Sequence, residues 1–76
     1  DIYSDMLHSY IVELKYAKTK DSDAHIQQLA EEAKAQVNRY AKSEVVTSAV
    51  KTTLLHKIIV IYRGTEKVVC EEVTEG

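Results

Sequence analysis

Apolar positions change their period along this chain, and each change marks an element. From Ser9 to Tyr16 (SYIVELKY) they alternate. Tyr10, Val12, Leu14 and Tyr16 fall on one side and Ser9, Ile11, Glu13 and Lys15 on the other, the period of two that a strand imposes. The wholly apolar set is expected to face a helix layer. Residues 1–8 (DIYSDMLH) hold no clean period and read as a turn or a frayed entry. Ala17 to Asp23 is a polar loop in which Asp21, Ser22 or Asp23 can cap a helix.

From there to about Lys42, Ile26, Leu29, Ala30, Ala33, Val37, Tyr40 and Ala41 form a stripe at helical spacing, with Glu31, Glu32, Lys34, Asn38 and Lys42 mostly off it. The alanines in the stripe permit close approach to a sheet. Ser43 to Thr53 is ambiguous. Val45, Val46, Ala49 and Val50 fit a short helix, but β-branched residues weaken it. Leu54 to Tyr62 contains the apolar run IIVIY, the pattern of a strand covered on both faces. Arg63-Gly64-Thr65-Glu66 reads as a tight turn, and Lys67 to Val73 (KVVCEEV) as a last strand antiparallel to the one before it.

The expected fold is α+β: a mixed three-stranded sheet packed against one long helix, in the order strand, helix, strand, strand. The strand–helix–strand crossover favours a parallel, right-handed pair. One long helix leaves the second sheet face bare, so cover is expected from sequence before Asp1 or from a second copy in a homodimer.

Composition narrows the classes. The chain has 76 residues, 45% hydrophobic and 29% charged, with a net charge of −2. That is one ordinary globular domain or a piece of one, and residues 1–76 are read as a single domain fragment. The bulk basic footprint of a nucleic-acid binder is missing, and no apolar run is long enough for a membrane span. One Cys excludes an internal disulfide and, with no secretory signal visible, points to the cytoplasm. So short a chain buries only about 60% of the surface its unfolded form exposes, another reason to expect a dimer or a missing neighbour.

Two constellations carry candidate chemistry. Glu13 and Lys15, two apart on a strand, place a carboxylate and an ammonium on one face with Cα atoms about 6.5–7 Å apart. Such a pair suits metal-assisted phosphodiester hydrolysis: the carboxylate helps hold a hard cation such as Mg²⁺, and the ammonium orients water and offsets developing charge. It is equally the pattern of a solvated ion pair. Gln36 and Tyr40, four apart, share a helix face, with Gln36 at the border of the stripe and Tyr40 inside it. A helix-surface amide beside a core Tyr gives the same pattern. His8, His25 and His56 are scattered without a metal-ligand spacing. Cys70 fits a small strand residue, and Lys57, Arg63 and Lys67 fit a solvated rim around the last two strands.

Taken together, E-x-K on a strand, a capped helix, Q-x-x-x-Y late in that helix and then a buried strand form an ordered set. SYIVELKY, EEAKAQVNRY and HKIIVIYRG resemble the PD-(D/E)XK nuclease superfamily, in particular its RecB-like branch and the nuclease-like domain found C-terminal to AAA-type ATPase-like domains in bacterial proteins. The resemblance runs from about Ser9 to Val73.

It implies the C-terminal part of a restriction-endonuclease-like core acting on DNA with Mg²⁺. Glu13 then matches an acidic metal ligand, Lys15 the catalytic lysine, and Gln36 and Tyr40 the helix motif that supports the metal site or contacts DNA. The family's first acid is an Asp at the start of a preceding strand. Asp1-Ile2-Tyr3 imitates that opening, but Ser4-Asp5 interrupts it, so neither Asp1 nor Asp5 matches well. The first acid is expected upstream of Asp1 and the fragment alone is expected to be inactive. The rival reading is a non-catalytic interaction or regulatory module attached to an AAA-type ATPase in the same parent chain, which the net negative charge favours.

Overall fold

The structure, a computed structural model, describes residues 7–50 and 53–74. It is α+β, with elements in the order β1 (His8–Ala17), α1 (Asp23–Ala41), α2 (Glu44–Val50), β2 (Leu54–Arg63) and β3 (Glu66–Glu72). The sheet order is β1-β2-β3. β1 and β2 are parallel over ten residue pairs, from His8 opposite Leu54 to Ala17 opposite Arg63. β2 and β3 are antiparallel. This mixed sheet is compatible with part of a restriction-endonuclease-like core. No helix among the described residues is long and apolar enough to cross a membrane.

Local chemistry sets the element ends. Asp21 folds the loop back by accepting the Lys18 N–H at 2.8 Å. Ser22 is the N-cap of α1, its hydroxyl oxygen accepting from the His25 N–H at 3.2 Å and so satisfying one of the helix's free donors. Asp23 in the first turn and Arg39 in the last suit the helix dipole. With no glycine to stop it, α1 runs to Ala41, is capped by Lys42 and is closed by Ser43. That hydroxyl donates to the Tyr40 carbonyl at 2.8 Å and accepts from Val46 N–H at 3.3 Å, so one side chain closes α1 and caps α2.

The core lies between α1 and the middle of the sheet. Ala33, Val37 and Ile59 are fully buried and Val73 nearly so, with Ile11, Ala30 and Val69 packed against them. The helix therefore covers the side of β1 that carries Ser9, Ile11, Glu13 and Lys15. This reverses the expected facing: Tyr10, Val12, Leu14 and Tyr16 lie on the uncovered side, with Tyr10 62% and Tyr16 68% exposed.

The reason is in β2 and β3 rather than β1. Both sides of β2 are apolar, so it favours neither. β3 is not symmetric: Val69 and Val73 pack toward α1, while Cys70 and Glu72 are exposed. An extra residue in β3, Val68, shifts the ladder between Ile61 opposite Val69 and Tyr62 opposite Lys67. This β-bulge lets Lys67 and Val69, two apart, fall on opposite sides of the sheet.

The β2–β3 hairpin turns on Gly64-Thr65, with Gly64 at φ +64° and no other residue at positive φ among those described. Glycine at the first central position of a two-residue turn is what the right-handed twist of the flanking strands asks for. The Gly64 N–H also donates to the Ala17 carbonyl at 2.9 Å, tying the turn to the end of β1. A Cβ there would stand 2.5 Å from Thr19 Oγ1. Gly64→Ala is expected to cost at least about 1 kcal/mol from the backbone conformation alone, read as a lower midpoint in urea unfolding. An unchanged midpoint would show that the turn does not need a left-handed residue.

Candidate active site

The site begins with the parallel register. Residues opposite each other in the ladder project to the same side, so Glu13 lies beside Ile59 and Lys15 beside Ile61. Ile59 and Ile61 are both fully buried. Glu13 and Lys15 are themselves half-buried on the side that α1 covers, at the flank of the core rather than in open solvent. A carboxylate and an ammonium thus share one strand face with a helix alongside. Among the described residues neither takes part in a close ion pair; the pairs there are His25–Asp21, Lys34–Glu71, His56–Glu72 and Arg63–Asp23.

Gln36 comes from α1. Lys34 reaches Glu71 of β3 at 3.5 Å. Two helical positions on, Gln36 points about 160° away from Lys34 around the axis, toward the β1 side. It adjoins Val37, which shares the core cluster with Ile59, the register partner of Glu13. The Gln36 Oε1 atom is buried and has no hydrogen-bond partner. A desolvated carbonyl oxygen left without a donor is costly, and such a group in a native fold calls for an explanation.

Tyr40 behaves differently from the stripe in which the sequence places it. The buried stripe of α1 ends at Val37, and Tyr40 is 50% exposed, one turn further on and open to a partner. Asp1 and Asp5 lie outside the described residues. Among the described residues, no group of three or more His, Cys, Asp or Glu side chains is arranged to hold a metal ion.

The expected cationic rim takes another form. Arg63 donates to the Asp23 carboxylate at 2.8 Å and to the Asp21 carbonyl at 3.3 Å, and Lys57 donates to Asn38 Oδ1 at 2.8 Å. These two cations fasten the two ends of α1 to β2. A cavity of about 400 Å³ lies on the β3 flank of the helix, lined by Ile26, Ala30, Lys34, Arg63, Val69 and Glu71 among others. It lies on the flank of α1 away from the Glu13 side, and four of its charged residues are paired with one another, Lys34 with Glu71 and Arg63 with Asp23.

One cluster escapes any reading of spacing in the sequence. His8 Nδ1 lies 2.8 Å from His56 Nε2, and His56 Nδ1 lies 3.0 Å from Glu72 Oε2. The three residues come from three strands, and only the parallel register brings residues 8 and 56 together. The signal that could have located them is their shared parity: each lies on the Tyr10 side of its strand.

A family model for the PD-(D/E)XK nuclease superfamily matches residues 2–72 of the chain. No curated protein and no solved structure matches it.

The unpartnered oxygen gives a test of the site that does not depend on activity. Gln36→Met keeps the volume and removes the buried carbonyl. Since a desolvated acceptor without a partner opposes folding by about 1–3 kcal/mol, the variant is expected to unfold at an equal or higher urea concentration. A clear loss of stability would mean that Gln36 is an ordinary bonded structural residue.

Proposed function

The chain belongs to the PD-(D/E)XK nuclease superfamily, and on that premise we propose that it is the nuclease-like part of a larger bacterial protein that hydrolyses DNA phosphodiesters with Mg²⁺. The observation that carries the reading is the placement of Glu13 and Lys15 on the helix-covered face of one strand, with the unpartnered Gln36 oxygen on the same flank of α1.

The family generally uses Mg²⁺, and the donors present suit it. The Glu13 carboxylate and the neutral Gln36 oxygen are hard ligands of the type that cation takes. They are fewer than it needs, so further oxygens from the parent chain, water or the phosphate complete the set. When bound, the ion supplies positive charge to the phosphate oxygens and acidity to water.

The chain's own residues do the rest. Lys15 holds an ammonium next to the site of attack, where it orients water by donating hydrogen bonds and offsets charge that develops on the phosphate. Partial burial beside Ile61 limits how far solvent screens it. Glu13 keeps its carboxylate at fixed distance from Lys15 through the strand repeat. Tyr40 contributes an exposed hydroxyl and ring that support DNA contact.

The segments SYIVELKY, EEAKAQVNRY and HKIIVIYRG support a further part of the proposal, an AAA-type ATPase-like domain in the same parent chain, acting in the cytoplasm. A second reading keeps the fold and drops the chemistry: a regulatory module for that ATPase. The net charge of −2 favours it, because DNA binding draws on positive surface.

Assay of the parent protein on plasmid DNA with Mg²⁺ separates the two. The nuclease reading expects cleavage that falls at least about 100-fold in Lys15→Ala and Glu13→Ala, within the range of losing one charge-stabilising group, with folding intact by circular dichroism. Equal product with both variants, or no cleavage by the wild type, would leave the regulatory module.

Self-association completes the proposal. Tyr10, Val12, Leu14 and Tyr16 form an exposed row on a three-stranded face of roughly 450 Å², taking strand spacing and rise. Two such faces buried together approach the lower bound of a specific interface, so a weak two-fold dimer is expected. Sedimentation equilibrium of the chain over a hundredfold concentration range should show a mass rising toward twice the monomer. A constant monomer mass would remove the dimer.

A further inference from the structure

The geometry points to a second metal site, distinct from Glu13, in which His8 and His56 hold a borderline divalent cation such as Zn²⁺ on the face of the sheet opposite α1. His56 sits opposite Tyr10 in the β1–β2 register, two residues along from His8, and both rings lie on the side that the helix leaves open. Imidazole pairs of this kind suit zinc, copper and nickel, unlike the hard-oxygen chemistry of the Glu13 side.

The hydrogen bonds fix which nitrogens are available. Glu72 can only accept, so the His56 Nδ1 atom facing it at 3.0 Å carries the proton. In the neutral ring the lone pair is then on Nε2, aimed at His8 Nδ1, 2.8 Å away. A carboxylate behind the distal nitrogen of a ligating histidine is the outer-shell arrangement that orients the ring and raises its basicity. Tyr10 stacks on the His56 ring with centroids 4.9 Å apart, which holds the imidazole plane.

Two nitrogens each bound to zinc at about 2.0–2.1 Å stand about 2.9–3.4 Å apart for bond angles near 90–110°. At the observed 2.8 Å the two nitrogens face each other along a hydrogen bond, so both rings must turn until their lone pairs converge on one point beside that line. His8 must move its proton from Nδ1 to Nε2, which exposure of its ring permits. No third protein ligand joins them among the described residues, so water completes the shell and the affinity is modest. Bound metal would bridge the starts of β1 and β2, where the Leu54 N–H already donates to the Leu7 carbonyl at 2.9 Å.

Isothermal titration of the 76-residue chain with ZnCl₂ alone tests this. The expected result is one site tighter than about 100 µM, with a rise in the thermal midpoint as zinc is added, since a ligand bound only by the folded form stabilises it. His8→Ala, on an exposed ring, should weaken binding at least 10-fold, and Glu72→Gln about 10-fold. His25→Ala should leave binding unchanged, because His25 lies on α1, which covers the opposite face of the sheet. No binding up to millimolar zinc, or equal binding by His8→Ala, overturns the site. The Glu13 chemistry is on the other face, so either result leaves the nuclease reading untouched.

Discussion

Everything described here depends on one contact, the seating of Ala33 and Val37 of α1 on Ile59 of β2. These three are fully buried, among only six buried hydrophobic residues in the described part of the chain. Close approach requires a small side chain on the helix, which Ala33 provides. Burying a side chain of the size of Val37 or Ile59 is worth about 1.5–3 kcal/mol, so a few of them are a large fraction of the stability of so small a fold. The polar ties at the helix ends, the Arg63–Asp23 ion pair with its exposed carboxylate and the Lys57–Asn38 hydrogen bond, add little individually. Their part is to fix direction, through Arg63 at the start of α1 and Lys57 near its end.

That contact also sets the environment of the candidate site. Because Glu13 is in register with Ile59, the carboxylate is carried to the flank of the core by the same pairing that builds it. The helix that shields one side of the pair brings Gln36 with it. Site and core are therefore one arrangement, and a change at Ile59 or Val37 would be felt at Glu13 without touching it.

The two faces of the sheet have different characters. The α1 face is packed and carries Glu13 and Lys15. The other is an aromatic and aliphatic surface, with Tyr16 and Tyr62 stacked at 5.7 Å at one end and the His8–His56–Glu72 chain at the other. Exposed apolar area of this extent on a sheet ordinarily marks a contact surface.

Much of the fold was legible in the residues. The alternation of SYIVELKY, the stripe from Ile26 to Val37, the run IIVIY and the Gly64 turn each specify an element through local periodicity or a special φ. So was the sharing of one face by Glu13 and Lys15, which follows from the strand repeat alone. Which face α1 would cover was not legible, because Tyr10, Val12, Leu14 and Tyr16 look like the buried set when β1 is taken by itself. The polarity of β3 decided it, acting through a bulge at Val68 that no local pattern announces. The meeting of His8 with His56, and the loss of a bonding partner for Gln36, likewise rest on pairings between residues far apart in the chain. Local chemistry determined the elements and their faces; the register between them, set by long-range packing, decided which groups meet.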